Sequence, residues 1–171
     1  TGTLTEGKPA LTDIVTSGAL DERELLRLVA SAERGSEHPL AEAIVQGAHE
    51  RGLDLIDASA FDSIAGHGIQ ATVDGRALLI GNRKLMRDQG VDASGLEARA
   101  AELASAGKTP MFIAVDGQAA GLIAVADRIK PTATETIRRL QAQGIEPVMI
   151  TGDNRRTAEA IANQLGITRF F

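Results

Sequence analysis

The chain has no cysteine, no tryptophan and no tyrosine, and only four phenylalanines. Without cysteine there is no disulfide framework, no thiolate metal site and no thiol nucleophile. With aromatics at 2%, a purine has no Trp or Tyr platform to stack on. It has to rest on aliphatic side chains, a His ring or bare backbone at glycine. No apolar run approaches the roughly 20 residues that span a bilayer, and no secretory leader is visible. The chain therefore reads as a soluble, cytosolic piece. Positive charge is not in excess either. The formal net charge of −5 argues against nucleic acid or an anionic membrane as main partner, since both reward clustered Lys and Arg. His38, His49 and His67 are scattered and lack partner cysteines, so no metal pattern emerges.

What is present is 43% apolar over 171 residues, enough to core one ordinary domain or two small ones. Residues 11–16 read as a strand with β-branched alternation. A helix follows from Asp21, with Leu25, Leu28, Val29 and Ala32 on one face, and a second from Pro39 to near Gly52. Residues 60–64, 68–73 and 76–80 look like short strands, the last two joined by an Asp74-Gly75 hairpin turn. Asn82–Gln89 and Leu96–Ala106 look helical. Residues 111–115 and 119–126 form another hairpin, turned by Asp116-Gly117. Then the grammar changes. A helix over about 132–143 precedes an apolar run at 147–150, expected to be a parallel strand covered on both faces. A helix follows Thr151-Gly152-Asp153-Asn154, and residues 167–171 start another strand. The fold class is α/β: an α+β domain with an antiparallel sheet, at residues 10–124, inserted in a Rossmann-type unit represented by residues 1–9 and 125–171.

Several stretches suit chemistry. Thr151-Gly152-Asp153 stands where a buried strand meets a helix, a ready anion site, although taken alone the stretch is better read as a plain helix cap. Gly66-His67-Gly68 permits close approach by a ligand, or is an ordinary glycine turn. His38 precedes Pro39 at a helix entry, five residues after Glu33. A carboxylate can accept from an exocyclic amine, and a neutral imidazole can stack or donate. That pair would suit adenine if the loop between them folds onto one pocket. Asn82 is a good N-cap, or an amide reaching a ribose or phosphate oxygen.

Taken in order, TGTLTEG, SEHPL, GHGI, GN and TGDN resemble the ATP-binding region of heavy-metal-transporting P-type ATPases, of the copper-exporting type, along the whole chain. In that family TGTLT completes the phosphorylation motif Asp-Lys-Thr-Gly-Thr. The resemblance therefore implies that the phosphorylated aspartate and a lysine stand immediately before Thr1. It implies an incomplete haloacid dehalogenase-like phosphorylation domain around a nucleotide-binding domain. Glu33 would lie near the adenine and His38 would orient the nucleotide. Gly66 and Gly68 would let ATP lie close to the sheet, and Asn82 would sit near the ribose and phosphates. Thr3, Thr151, Gly152 and Asp153 would surround the phosphoryl group and magnesium, and Asp127 would mark the hinge between domains. No role carries over to His67, between the two glycines.

The implied ligands are ATP and Mg2+, with copper(I) as cargo of the full-length pump and no metal site in this chain. The implied partners are the transmembrane and actuator domains of the same polypeptide. The piece is expected to be a cytoplasmic domain of an integral membrane protein, monomeric alone and catalytically incomplete. Two alternatives stand. A zinc or cadmium pump is one, although such pumps more often vary around the His-Pro, and SEHPL with Glu37 looks most like the copper(I) exporters. A soluble haloacid dehalogenase-like phosphatase would carry a second Asp two residues after its nucleophile, where this chain has Thr1. A hydroxyl cannot replace that carboxylate in activating water. A metallochaperone-like metal binder fits least.

Overall fold

The computed structural model describes residues 2–152 and 155–171. Strand β1 (Thr5–Thr16) leads into helices α1 (Glu22–Glu33) and α2 (Pro39–His49). Strands β2 (Ser59–Ile64), β3 (Gly68–Val73) and β4 (Arg76–Gly81) follow, then helices α3 (Arg83–Asp88) and α4 (Glu97–Ser105). Strands β5 (Thr109–Val115) and β6 (Gln118–Ile129) complete a six-stranded antiparallel sheet in the order β1-β6-β5-β4-β3-β2. Both Asp-Gly hairpins form. Asp74 and Gly75 have φ of 53° and 74°, and Asp116 and Gly117 of 50° and 79°. Positive φ at both central residues gives the turn whose twist matches that of paired strands.

Helices cover both faces of this sheet. On one face Leu25, Leu28, Val29 and Ile44 pack on Ile69, Ile80, Ile113 and Ile123. On the other, Met86, Leu96 and Leu103 pack on Phe112, Leu122 and Ala124. Each fully buried Leu or Ile contributes about 1.5–3 kcal/mol, so the two layers fix the sheet on which the site is built.

Strands β1 and β6 are longer than their sequence signals, which mark only 11–16 and 119–126. The first half of β1 carries Gly7, Lys8 and Pro9, all weak strand formers. It is held by long-range pairing instead, Thr5 with Ile129 and Pro9 with Asp127. The register shifts between those pairs, and the Asp127 carboxylate meets the irregularity by accepting from the Gly7 N–H at 2.9 Å. This ribbon joins the large sheet to the last part of the chain.

There, α5 (Pro131–Ala142), β7 (Val148–Met149), α6 (Arg155–Leu165) and β8 (Arg169–Phe170) gather around Ile137, Met149, Ala162 and Leu165. Strands β7 and β8 pair in parallel, as the apolar run at 147–150 suggests. That run is not covered on both faces. Met149 is buried, while Val148 is 43% and Ile150 83% exposed. The reason is that both helices pack on the Met149 side. Among the described residues, no helix is long and apolar enough to cross a membrane.

Candidate functional site

Five candidate residues from separate stretches of sequence line one cavity of about 410 Å³: Glu33, His38, Gly66, Gly68 and Asn82. The size lies within the range of small-molecule sites. Met111 of β5 adds an apolar wall, which supplies the aliphatic surface that a chain poor in aromatics needs.

Glu33 is the last residue of α1 and is buried, with 6% of its surface exposed. Burial raises its pKa from near 4.5 to about 7, opposed by a hydrogen bond with the Ser36 side chain. Ser36 has a second task, because its Oγ accepts from the His38 N–H at 3.3 Å. The short turn thus links the acid to the imidazole. In the sequence Ser36 is the first residue of SEHPL, and its linking role is not apparent from residue type alone. The available signal is a hydroxyl three residues after a helix-terminal acid and two before the histidine.

His38 is the N-cap of α2. Its Nδ1 accepts from the Leu40 N–H at 3.1 Å, with Pro39 in the first helical turn. A neutral ring that accepts at Nδ1 carries its proton on Nε2. The cap therefore fixes the tautomer and leaves Nε2–H as the donor for a ligand. The capping and ligand readings of His38 are compatible, because they use different nitrogens.

The glycine turn is built from two unlike glycines. Gly66 has φ of 71° and open space where a Cβ would stand. It supplies a left-handed backbone and an unobstructed wall. Gly68 faces Gly81 across the β3–β4 ladder, and a Cβ on Gly68 would meet the Ile80 carbonyl oxygen at 2.0 Å. Its role in this structure is close strand approach. Asn82 is engaged at both ends. Its Oδ1 accepts from the Leu85 N–H at 2.9 Å and caps α3, and its Nδ2 donates to the Gly66 carbonyl at 3.0 Å. The amide ties the turn to the helix, a relation between distant positions that no sequence spacing reveals. His67, between the two glycines, also lines the cavity, and its Nδ1 lies 2.7 Å from the Ala65 carbonyl.

Thr3 and Thr151 line a second, smaller cavity of about 230 Å³ between the start of β1 and the β7 end. The Thr151 N–H donates to the Phe171 carbonyl at 2.9 Å, and Gly152 follows in an exposed bend. Asp153 and Asn154, as well as Thr1, lie outside the described residues. No described residue lines both cavities. Among the described residues, no group of three or more His, Asp or Glu is placed to hold a metal ion.

A family model described as haloacid dehalogenase-like hydrolase matches residues 1–171. A copper-transporting P-type ATPase of Rhizobium leguminosarum bv. viciae is 52% identical over 167 residues, 98% of this chain and 20% of that protein. A copper-exporting P-type ATPase of Bacillus subtilis (strain 168) is 48% identical over 98% of this chain and 21% of its own length. The chain thus spans about a fifth of the curated relatives it matches. The crystal structure of a zinc-transporting PIB-type ATPase in an E2.Pi state superposes with a TM-score of 0.91 at 38% identity, covering all of this chain and 27% of that one.

Proposed function

Because the chain belongs to the haloacid dehalogenase-like hydrolases, we propose that it is the ATP-binding region of a P-type ATPase that exports copper(I), driven by an aspartyl-phosphate intermediate. The observation that carries this reading is the convergence of Glu33, His38, Gly66, Gly68 and Asn82 on one cavity. Residues 10–124 bind the nucleotide, and residues 1–9 and 125–171 contribute to the phosphorylation domain. Adenine sits toward Glu33, with the His38 Nε2–H as an orienting donor. The open Gly66 turn lets the nucleotide approach the backbone. Thr3, Thr151 and Gly152 face the phosphoryl group from the other domain, and Asp153 is assigned to the same group by its place in the TGDN motif. Magnesium would travel with ATP. Among the described residues, no carboxylate cluster stands near Thr3 and Thr151. Transmembrane and actuator domains of the same polypeptide are the partners, which makes this a cytoplasmic region.

Copper is favoured by relatives named for it at 52% and 48% identity. The zinc-transporting structure at 38% supports a zinc pump as the second reading.

The two nitrogens of His38 provide the test. His38→Asn keeps a good helix cap and removes the Nε2 donor. It is expected to melt near the wild type but to bind ATP about 5- to 10-fold more weakly by calorimetry, the loss of roughly one hydrogen bond. Equal affinity would remove His38 from the site. Hydrolysis of small phosphate esters by this chain would favour a phosphatase instead.

A further inference from the structure

Glu33 is an acid in an unusual place. It is buried. It ends α1, where the helix dipole is negative and no basic residue occupies the last turn. Among the described residues it also has no cationic partner. Arg34 beside it pairs with Asp57 at 2.9 Å. Lys108, leading into β5, pairs with Asp13 at 2.6 Å. On the α1–α2 turn stand Glu37 and His38, and His38 spends Nδ1 on Leu40. On β2 and the turn after it stand Asp62, near Gln70, and His67, near the Ala65 carbonyl. Only burial and the Ser36 hydroxyl act appreciably on Glu33, and together they leave its pKa at about 7.

We propose that Glu33 selects adenine as a neutral carboxylic acid, so that one proton is held at this site together with the nucleotide. The inference rests on the ATP-binding reading above. Its chemistry follows from the two purines. Adenine presents a donor, its N6 amine, beside an acceptor, N1. A neutral carboxyl complements both, its carbonyl oxygen accepting from N6–H while its O–H donates to N1. The second lone pair of the carbonyl oxygen remains for the Ser36 hydroxyl. A carboxylate can satisfy only the N6 amine and would set its charge against N1. Guanine reverses the pattern, with N1–H and N2–H as two adjacent donors that suit a carboxylate. Loss of the Glu33 proton therefore turns an adenine reader into a better guanine reader. A site with a hydrogen-bonding pattern for one base rejects the other because buried polar groups are left unpaired.

The experiment is calorimetric titration of the whole chain with ATP and with GTP from pH 5.5 to 8.5, for the wild type and Glu33→Gln. Glutamine fixes the neutral pattern, with its carbonyl accepting and its NH2 donating. The expected wild-type result is ATP affinity that holds below about pH 7 and weakens about tenfold per unit above it, reaching about 30-fold at pH 8.5. The ATP preference over GTP falls in the same window. Glu33→Gln binds ATP more tightly than the wild type at pH 8.5, with the extra pH dependence removed. Any dependence arising from His38, His67 or the phosphates persists in both proteins and cancels in the comparison. Parallel ATP profiles for the two proteins would overturn the proposal, as would a folded Glu33→Gln that fails to bind ATP at every pH. In both of those cases wild-type ATP binding would leave the nucleotide site itself intact. Absence of wild-type ATP binding at every pH would overturn the site reading and this inference with it.

Discussion

Gly68 and Gly81 oppose each other across the β3–β4 ladder so closely that neither has room for a side chain. A Cβ on Gly68 would lie 2.0 Å from the Ile80 carbonyl oxygen, and one on Gly81 would lie 2.2 Å from that of His67. Gly68 also has φ of 147°. The cavity wall is thin here because the strands meet backbone to backbone. Gly68→Ala is expected to destabilise the domain by roughly 3 kcal/mol, through overpacking and backbone strain, which lowers the melting temperature by about 10 °C. Thermal unfolding checks this, and an unchanged midpoint would refute it.

Asn82 offers a second separation of roles. Asn82→Ser preserves a helix cap but is too short to hold the Gly66 carbonyl. Stability should stay within about 1 kcal/mol of the wild type, while ATP affinity falls about fivefold as the turn loosens. Calorimetry beside a denaturant curve reads both. Large destabilisation with unaltered affinity would reduce Asn82 to a cap.

The buried acid also makes stability depend on pH. Unfolded, Glu33 ionises near its ordinary 4.5, and folded it keeps its proton to about 7. The folded state binds more protons in that window. The stabilisation is therefore fully present below 4.5, falls as pH rises through the window and is lost above about 7. The full swing is of order 3 kcal/mol. Urea unfolding of the wild type and Glu33→Gln from pH 4.5 to 8 isolates this contribution. The two stabilities should diverge with rising pH, and a constant difference would contradict the burial argument.

Much of this architecture is legible in the chain because it is written locally. The apolar spacing of Leu25, Leu28, Val29 and Ala32 places α1, and the two Asp-Gly pairs place their hairpins. Features that depend on distant partners are not legible. The segment from Thr5 to Ala10 becomes strand only because β6 and the Asp127 carboxylate hold it. The Asn82 tie to Gly66 spans 16 residues and leaves no periodicity. The exposure of Val148 and Ile150 follows from both helices choosing one side of β7, which an apolar run cannot announce. At the site, residue types suggest Glu33 and His38. The shared Ser36, and the ring nitrogen that His38 leaves for a ligand, depend on how the α1–α2 turn folds.

The proposed adenine-nucleotide site joins residues as far apart as Glu33 and Asn82. Its most direct test is a two-dimensional amide NMR titration of this chain with ATP at pH 6, with GTP as control. Shifts are expected to cluster at Glu33, His38, Gly66, Gly68 and Asn82 with ATP and to be much weaker with GTP. A well-dispersed spectrum in which ATP leaves those amides unmoved would contradict it.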